Sequence, residues 1–401
     1  MANQPSPAMR EEVRSGVEGD SERRDPAPQP ANPDRSARQS GGQTESNSPR
    51  YGTPPDNREP PFHRQAFAAI DLGTNNCRLL IARPAGDSNF VVIDAFSRVV
   101  RLGEGLAQTG RLSQAAMDRA LGALRICADK LKRRNVHLAR SVATEACRRA
   151  ENGQEFIERV REETGILLDV ISAKEEARLA VVGCHILLEQ GDGPAVIFDI
   201  GGGSTELVLV ENQPGAMPRI LDWQSVPWGV VSLTETCGSE APDYDARIAR
   251  YGRMRELVHD SLAPFAQRIA PAIETEQELR LLGTSGTVTT LASVHLDLPQ
   301  YDRNAVDGLI VPAEAMRAIS ARLSSQSPEE RRQQACIGRE RSDLVVAGCA
   351  ILETILDIWP ADRLGVADRG IREGILRSLM ASGSEAERSR MALRQLRRRT
   401  S

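Results

Sequence analysis

Two short segments of this chain match each other, and their repetition restricts the folds open to it. Asp71-Leu-Gly-Thr-Asn-Asn-Cys-Arg-Leu-Leu-Ile and Asp199-Ile-Gly-Gly-Gly-Ser-Thr-Glu-Leu-Val-Leu align without a gap. In each, an apolar run typical of a buried strand leads to an acidic residue, a turn of small residues and a second apolar run. An internal duplication is the economical explanation. It predicts two similar lobes whose glycine turns face one another across a cleft.

Between residues 66 and 384, short β-type runs alternate with helical patterns, which is typical of α/β proteins. We predict strands at Phe67–Asp71, Cys77–Arg83, Phe90–Phe96, Leu138–Ala143, Leu167–Ile171, Ala195–Asp199, Thr205–Val210, Ile220–Ser225, Leu279–Leu282 and Leu364–Ala367. Helices are predicted from the cap Ser113 to Asn135, at Gln154–Glu163, Lys174–Leu188, around Asp245–Ile269, across Ser342–Ile358 and from Ile371. Each lobe should open with a three-stranded meander.

Composition sets the domain boundaries. Residues 1–65 hold 11 of the 23 prolines and few large apolar side chains, so we predict a disordered tail, with a docking arm as the alternative. The break Gly191-Asp192-Gly193-Pro194 divides the rest into lobes at 66–190 and 191–384, and the final helix, about 371–380, is a candidate to pack back on the first lobe. The arginine-rich tail 385–401 is either a solvated end or a segment that recruits polyanions.

Charge and cysteine usage exclude several classes of partner. A formal net charge of −4 does not favour nucleic acid or an anionic membrane, because both need a broad positive field. The seven cysteines are scattered, so neither a zinc site nor a disulfide framework is predicted. The sequence has no apolar run of membrane-spanning length and no secretory pattern. We therefore expect a soluble cytoplasmic protein that holds an anionic ligand locally.

The two glycine turns are candidate phosphate sites. The first contributes Gly73, Thr74 and Asn75; the second contributes Gly201, Gly202, Gly203 and Ser204. Glycine allows the backbone to approach an oxyanion closely, and consecutive N–H groups form a concave anion site. No Walker sequence is present, and a strand rather than a dinucleotide-binding helix follows each turn. A single such turn is usually structural, but two matched copies favour phosphate binding.

Carboxylates flank both turns, which indicates a cation. Asp71, Asp199 and Glu206 would repel a phosphate unless a hard divalent ion, Mg²⁺ or another, lay between them. The three are therefore candidate metal ligands. The alternative is that some of them only cap or hydrogen-bond the turns.

A third glycine turn, Leu282-Gly-Thr-Ser-Gly-Thr-Val-Thr-Thr, follows a predicted strand and opens a helix. Ser285, Gly286 and Thr287 could bind a further anion through free N–H groups at the helix start. A tight strand-to-helix connection explains the pattern equally well.

Two charged segments are candidates for acid–base chemistry and phosphate binding. Glu175 and Glu176 open a predicted helix and point about 100° apart, so only one can face a cleft. That carboxylate could deprotonate an attacking water, or both could simply stabilise the helix dipole. Arg148 and Arg149 end a predicted strand and could grip a phosphate or remain solvated.

Together these segments resemble the exopolyphosphatase and guanosine pentaphosphate phosphohydrolase (Ppx/GppA) family, of the superfamily that contains sugar kinases, actin and the large heat-shock ATPases. The matching stretches are Ala68-Ala-Ile-Asp-Leu-Gly-Thr-Asn, Arg101-Leu-Gly-Glu-Gly-Leu, Ala143-Thr-Glu-Ala-Cys-Arg, Ser172-Ala-Lys-Glu-Glu-Ala-Arg-Leu, Phe198-Asp-Ile-Gly-Gly-Gly-Ser-Thr-Glu-Leu, Gly283-Thr-Ser-Gly-Thr and Asp368-Arg-Gly-Ile-Arg-Glu-Gly-Ile-Leu. They occur in order across residues 66–380.

The resemblance implies two ribonuclease H-like (actin-like ATPase) lobes around a central cleft. It implies Glu176 as the general base, and Asp199 and Glu206 as the carboxylates that hold the metal and orient water. Ser204 with its glycines would form the phosphate loop, and Arg148 would grip a phosphate. The implied activity is that of an exopolyphosphatase, in which water attacks the terminal phosphorus of inorganic polyphosphate.

Three other activities stay open at this point. A guanosine pentaphosphate (pppGpp) phosphohydrolase would present the same terminal phosphoanhydride to the same turns. A kinase or ATPase of the superfamily would share both turns, and a non-catalytic sensor of polyphosphate or (p)ppGpp would bind without hydrolysis. Glu145 departs from the small or neutral residue of many relatives and adds negative charge near the proposed phosphate path. Relatives are often homodimers, and the sequence leaves this assembly open.

Overall fold

The computed structural model describes residues 62–384 except 87–88, 192, 214–215, 239–242, 274–278 and 339–340. The predicted disordered tail therefore lies outside the described residues up to residue 61, and so does the predicted basic tail, 385–401. Just before the first strand, Phe62–Arg64 form a short 3-10 helix. The Phe62 ring packs edge-on against Phe67, with centroids 5.5 Å apart. No helix in the described residues is both long and apolar enough to cross a bilayer.

The first sheet has five strands. They are β1 (Ala66–Leu72), β2 (Asn76–Ala85), β3 (Asn89–Val99), β4 (Val136–Ala143) and β5 (Leu168–Val170). In space their order is β3-β2-β1-β4-β5, with β1 to β3 forming an antiparallel meander and β4 and β5 running parallel to β1. The meander and all five strands were predicted, with bounds that differ by a few residues.

The helices of this half are α1 (Leu106–Thr109), α2 (Gln114–Arg133), α3 (Glu145–Arg149), α4 (Gly153–Thr164) and α5 (Ala173–Cys184), and a 3-10 turn, His185–Leu187, follows α5. The predicted cap of α2 is confirmed, because the Ser113 hydroxyl accepts a hydrogen bond from the Ala116 N–H at 3.2 Å. α3 was not predicted, because five residues are too few to show a helical period.

The second sheet has six strands: β6 (Pro194–Ile200), β7 (Thr205–Glu211), β8 (Arg219–Val226), β9 (Arg280–Thr284), β10 (Ile310–Pro312) and β11 (Arg363–Ala367). Their order, β8-β7-β6-β9-β11, repeats that of the first sheet, and β10 adds one antiparallel strand at the edge. β10 was not predicted, since three residues carry too little pattern. The repeated order agrees with the duplication inferred from the sequence.

Eight helices are described in the second half. They are α6 (Val230–Thr236), α7 (Tyr244–Ile273), α8 (Gly286–His295), α9 (Arg303–Val306), α10 (Ala313–Ser325), α11 (Pro328–Arg332), α12 (Val345–Ile358) and α13, residues 371–384. The region around 245–269 is one continuous helix despite Pro264 and Pro271. α12 begins three residues later than predicted, at Val345.

Helix α5 lies between the two sheets. Its Leu179 packs with Phe67 of the first sheet, while its Val181 packs with Ile197 of the second. α13 returns to the first sheet and packs Ile375 beside α5.

Two glycines allow α5 and α13 to approach closely. A Cβ atom on Gly183 would lie 2.0 Å from the Gly370 oxygen, and one on Gly374 would lie 2.0 Å from the Leu179 oxygen. The two helices are therefore in backbone contact, which requires both residues to lack a side chain.

Candidate active site

The two repeated turns have the same local geometry and touch each other. The Gly73 N–H donates to the Asn76 oxygen at 2.9 Å, and the Gly201 N–H donates to the Ser204 oxygen at the same distance. A Cβ atom on Gly203 would lie 2.7 Å from the Thr74 hydroxyl oxygen. The turns can meet at this distance only because the second one carries glycine.

A cleft opens beside these turns, between the ends of the two sheets. It is lined by the predicted residues Asp71, Gly73, Thr74, Asn75, Glu176, Asp199, Gly201, Gly202, Gly203, Ser204, Glu206, Ser285, Gly286 and Thr287. Segments far apart in sequence, including all three glycine turns, thus reach one cavity. Arg148 is outside the lining, and so are Arg149 and Glu175, which were candidates beside Arg148 and Glu176.

Each hairpin places a charged residue opposite its strand-end aspartate. In the first hairpin, Arg78 pairs in register with Asp71. In the second, Glu206 pairs in register with Asp199. Since residues paired in this way lie on the same face of a sheet, both pairs face the cleft.

Glu176 enters the cleft from α5. The Ser172 hydroxyl caps this helix by accepting a hydrogen bond from the Glu175 N–H at 3.2 Å. The Glu175 carboxylate accepts from Arg140 at 2.9 Å and from Arg178 at 2.7 Å, outside the cleft. The Glu176 side chain lies on the other face of the helix and is buried, so one of the two adjacent acids is available to a ligand.

Arg148 lies behind the cleft and is bound to protein acceptors. It donates to the Glu176 carboxylate at 3.0 Å, to the Ile171 oxygen at 2.8 Å and to the Glu145 carboxylate at 2.6 Å. Both terminal nitrogens of the guanidinium thus donate to protein acceptors, and the predicted role as a direct phosphate grip stays a prediction.

Burial dominates the electrostatics of the acids. It raises the pKa of Asp199 to about 8, and the nearby Glu206 and Asp71 carboxylates add to this shift while Arg78 opposes it. Burial also raises the pKa of Glu176 well above its usual value, with a further contribution from Glu206 and an opposing one from Arg148. Without a compensating cation, these acids cannot all be ionised at neutral pH.

The other two acids follow the same rule. Burial raises the pKa of Glu206, although the Ser204 and Ser225 hydroxyls donate to it at 2.7 and 2.8 Å and partly oppose the shift. Burial also raises the pKa of Asp71, with Arg78 opposing it. One Asp71 oxygen is buried without a hydrogen-bond partner. A cation would satisfy both the charge of these groups and this oxygen.

The metal site predicted at Asp71, Asp199 and Glu206 stays a prediction, and all three acids line the cleft. Within the described residues, no group of three or more His, Cys, Asp or Glu is arranged to hold one ion. Asp71 and Asp199 reach the cleft from the two sheets, and one oxygen of Glu206 accepts hydrogen bonds from two hydroxyls. The residues present suit a Mg²⁺ ion held by one or two carboxylates and completed by water and substrate phosphate.

The third turn differs from the expected anion site. The Ser285 hydroxyl caps α8 by accepting hydrogen bonds from the Thr287 and Val288 N–H groups at 3.1 and 3.2 Å. One of the N–H groups proposed for an anion, that of Thr287, is therefore occupied. Two arginines lie close to the start of this helix. A Cβ atom added to Gly286 would be 3.5 Å from an Arg341 nitrogen and 3.9 Å from an Arg78 nitrogen.

Sequence reasoning missed both of these arginines, which line the cleft. Arg78 looks like an ordinary residue in an apolar strand. Its position relative to Asp71 is nevertheless the same as that of Glu206 relative to Asp199, and this equivalence could have identified it. Arg341 lies in a loop far along the chain, where no motif surrounds it.

A duplicated α/β fold with paired glycine turns and buried acids in one cleft is suited to handling phosphates. The sequence model of the Ppx/GppA phosphatase family matches residues 80–383. The chain is 32% identical over 324 residues to Exopolyphosphatase 2 of Mycobacterium tuberculosis, covering 78% of this chain and 98% of that protein. It is 27% identical over 323 residues to a putative exopolyphosphatase of Haemophilus influenzae, covering 80% and 94%.

Solved structures agree with the sequence matches. The crystal structure of an Aquifex aeolicus member of the Ppx/GppA family is similar with a TM-score of 0.65 and 29% identity, covering 80% of this chain and 98% of that one. An exopolyphosphatase from Cytophaga hutchinsonii has a TM-score of 0.68 and 26% identity, covering 79% and 98%. This chain belongs to the Ppx/GppA phosphatase family, and the predicted family and fold are confirmed.

Proposed function

We propose that this protein is an exopolyphosphatase, which hydrolyses the terminal phosphoanhydride bond of inorganic polyphosphate and releases orthophosphate. The observation that carries the proposal is the meeting of two glycine turns in a cleft that also contains the buried carboxylate of Glu176. The exopolyphosphatases among its relatives support the same substrate.

The terminal phosphate would lie against the two turns. Backbone N–H groups of the turns and the Thr74 hydroxyl would donate to it, whereas the Ser204 hydroxyl already donates to Glu206. Arg78 and Arg341 would bind the following phosphates, because guanidinium groups make charge-assisted hydrogen bonds to phosphate oxygens. No aromatic side chain lines the described part of the cleft, so stacking of a guanine base has no support here. This favours polyphosphate over pppGpp as the substrate.

Glu176 would act as the general base. It faces the cleft, and Arg148 fixes its carboxylate from behind at 3.0 Å. A base in this position can take a proton from the water that attacks the terminal phosphorus. The raised pKa of Glu176 means that the group must first lose its own proton, which a nearby positive charge would favour.

Asp71 and Asp199 would hold a divalent cation, most simply Mg²⁺, together with oxygens of the substrate. They fit this role because both are acids in the cleft, and one Asp71 oxygen is buried without a partner. A hard cation bound in this way supplies charge stabilisation for a phosphoryl group and offsets the repulsion between the acids.

The test is phosphate release from three substrates with and without Mg²⁺: linear polyphosphate, pppGpp and cyclic trimetaphosphate. Trimetaphosphate contains phosphoanhydride bonds but no chain end, so an exopolyphosphatase should leave it intact. We expect release from linear polyphosphate at a higher kcat/KM than from pppGpp. Tight binding of polyphosphate without phosphate release would instead identify a sensor. Faster release from pppGpp would reassign the substrate.

A further inference from the structure

Three charged side chains form a chain at one wall of the cleft: Glu145 and Glu176 line it, and Arg148 lies behind them. The Arg148 guanidinium lies in the middle and donates to a carboxylate on each side, at 2.6 Å to Glu145 and at 3.0 Å to Glu176. The side chains are 17%, 23% and 9% exposed in the order given. Solvent screening is therefore weak for the Arg148–Glu176 pair in particular.

The position of Arg148 is fixed by the backbone as well as by charge. Its Nη1 group also donates to the Ile171 oxygen at 2.8 Å. Ile171 immediately precedes Ser172, the residue that caps α5. Arg148 thus connects the last turn of α3 to the start of the helix that carries Glu176.

Glu145 holds the other end of the same guanidinium. It lies in the first turn of α3 and reaches Arg148 three residues later on that helix. Glu145 also packs against the second glycine turn on the side of the cleft. The contact is so close that a Cβ atom added to Gly203 would lie 2.9 Å from the Glu145 Cγ. Glu145 therefore contacts both a phosphate turn and the arginine that supports Glu176.

We propose that Glu145 and Arg148 are positioning residues for Glu176: Arg148 holds the Glu176 carboxylate in line with the cleft, and Glu145 holds Arg148. This inference rests on the proposed role of Glu176 as the base. A rigidly held base loses little activity to misorientation, whereas a misplacement of about 1 Å can reduce turnover by about 100-fold.

Two other roles for these residues make different predictions. If Arg148 gripped the substrate, replacing it would raise KM for polyphosphate. If Glu145 only repelled the polyanion, removing its charge would lower KM and leave kcat unchanged. A positioning role lowers kcat and leaves KM nearly unchanged, because the lost interaction matters only for the chemical step.

The experiment measures kcat and KM separately for linear polyphosphate. Arg148→Lys keeps the charge, but one ammonium group cannot reach all three acceptors, so we expect kcat to fall by about 100-fold with KM within about threefold. Glu145→Ala should lower kcat by about 10-fold, and Glu145→Gln, which keeps an oxygen acceptor, should recover most of that loss. Arg149→Lys is the matched control on the same helix, and both constants should stay near wild type.

A double variant tests whether Glu145 acts through Arg148. Glu145→Ala combined with Arg148→Lys should be no slower than Arg148→Lys alone, within about twofold, since residues that act through one another are not additive. Thermal melting of every variant identifies a loss of fold, and the milder Glu145→Gln serves if Glu145→Ala does not fold. An increase in KM with kcat retained for Arg148→Lys, or an unchanged kcat for Glu145→Ala, would overturn the proposal.

The wild-type protein in the same assay separates the two hypotheses. Phosphate release by wild type with no effect of the Glu145 and Arg148 changes would reject only the positioning role. Absence of release by wild type would reject the proposed function, and the positioning role with it.

Discussion

The β1–β2 and β6–β7 hairpins share one backbone and differ in charge. Both end a strand with an aspartate, close the turn with the same hydrogen bond and place a charged residue in register with that aspartate. In the first hairpin that residue is Arg78, so the negative charge of the aspartate is opposed by a positive charge. In the second it is Glu206, so two acids lie side by side. The duplicated frame has thus kept its shape while its two copies acquired complementary electrostatic roles.

This difference assigns a task to each half. The first hairpin can bind phosphate directly through Arg78, whose own pKa is lowered by burial and by the nearby Arg372. The second hairpin, with Asp199 beside Glu206, is stable in the ionised form only with a cation. In the proposed mechanism, a phosphate with its cation would satisfy both hairpins at once, and neither hairpin alone would provide both interactions.

In this proposal both hairpins bind the substrate and its cation, and proton transfer belongs to Glu176 on α5. The largest loss of activity should therefore follow from a change in α5. Glu176→Gln should reduce kcat for polyphosphate by about 100-fold or more while the fold stays intact, as expected when a general base is removed. Glu175→Gln on the same helix is the control, because its side chain points away from the cleft. Near-normal phosphate release by Glu176→Gln would contradict the assignment.

The next largest effect, on KM, should come from Arg78, the positive charge that distinguishes the first hairpin from the second. Arg78→Met should raise KM for polyphosphate by about 10-fold or more, because a hydrogen bond to a charged group contributes about 1.5–3 kcal/mol. It should also weaken the dependence of KM on salt concentration. Arg83→Met, an exposed arginine on the same strand, should change neither. An unchanged KM for Arg78→Met would remove the first hairpin from substrate binding.

A smaller effect should follow from separating the two turns. Gly203→Ala would place a methyl group 2.7 Å from the Thr74 hydroxyl and 2.9 Å from Glu145, so one turn must shift. We expect kcat/KM to fall by about 10-fold, in line with displacement of donors from a phosphate. Gly252→Ala, in α7 with nothing within 4 Å, should leave activity unchanged and raise stability by up to about 1 kcal/mol. Full activity of Gly203→Ala would show that contact between the turns is dispensable.

The mildest test uses pH and the second hairpin. The folded protein holds the Asp199 proton more tightly than the unfolded chain does, because burial raises the pKa of Asp199 to about 8. Stability in the absence of divalent cations should therefore fall as pH rises from about 4 towards 8. Melting temperatures in EDTA should drop by about 3 °C or more between pH 6 and pH 8. Asp199→Asn should flatten this profile, whereas Asp260→Asn, an exposed control, should not. A slope unchanged by Asp199→Asn would assign the pH dependence to other groups.

The repeated pattern of the sequence predicted most of the architecture. Each strand of the two meanders alternates or concentrates apolar residues over several positions, and the order of the sheets then follows from the duplication. The Asp71 and Asp199 turns were located because carboxylate, small residues and strand occur together in sequence. Short elements such as α3 and β10 were missed, since three to five residues carry no period. The 13-residue helix α10 was missed as well, although its buried residues recur at helical spacing.

The roles of the arginines could not be read from local sequence. Arg148 follows a strand, a position that suits phosphate binding. Its hydrogen bonds go to the Ile171 oxygen and to two carboxylates, and only the tertiary fold brings these acceptors together. Arg341 reaches the cleft from a loop. The three candidate metal ligands were found because sequence shows which acids are near a turn, whereas the hydrogen bonds that Glu206 accepts are seen only in the fold.

The backbone contact between α5 and α13 constrains the helix that carries Glu176. Because Gly183 and Gly374 leave no space for a methyl group, α5 cannot keep this position against α13 if either residue gains a side chain. A side chain at either glycine would act as a spacer and withdraw the carboxylate from its target without touching it. The position of the proposed base thus depends in part on Gly183, about two helical turns further along α5, where the chain has no side chain at all.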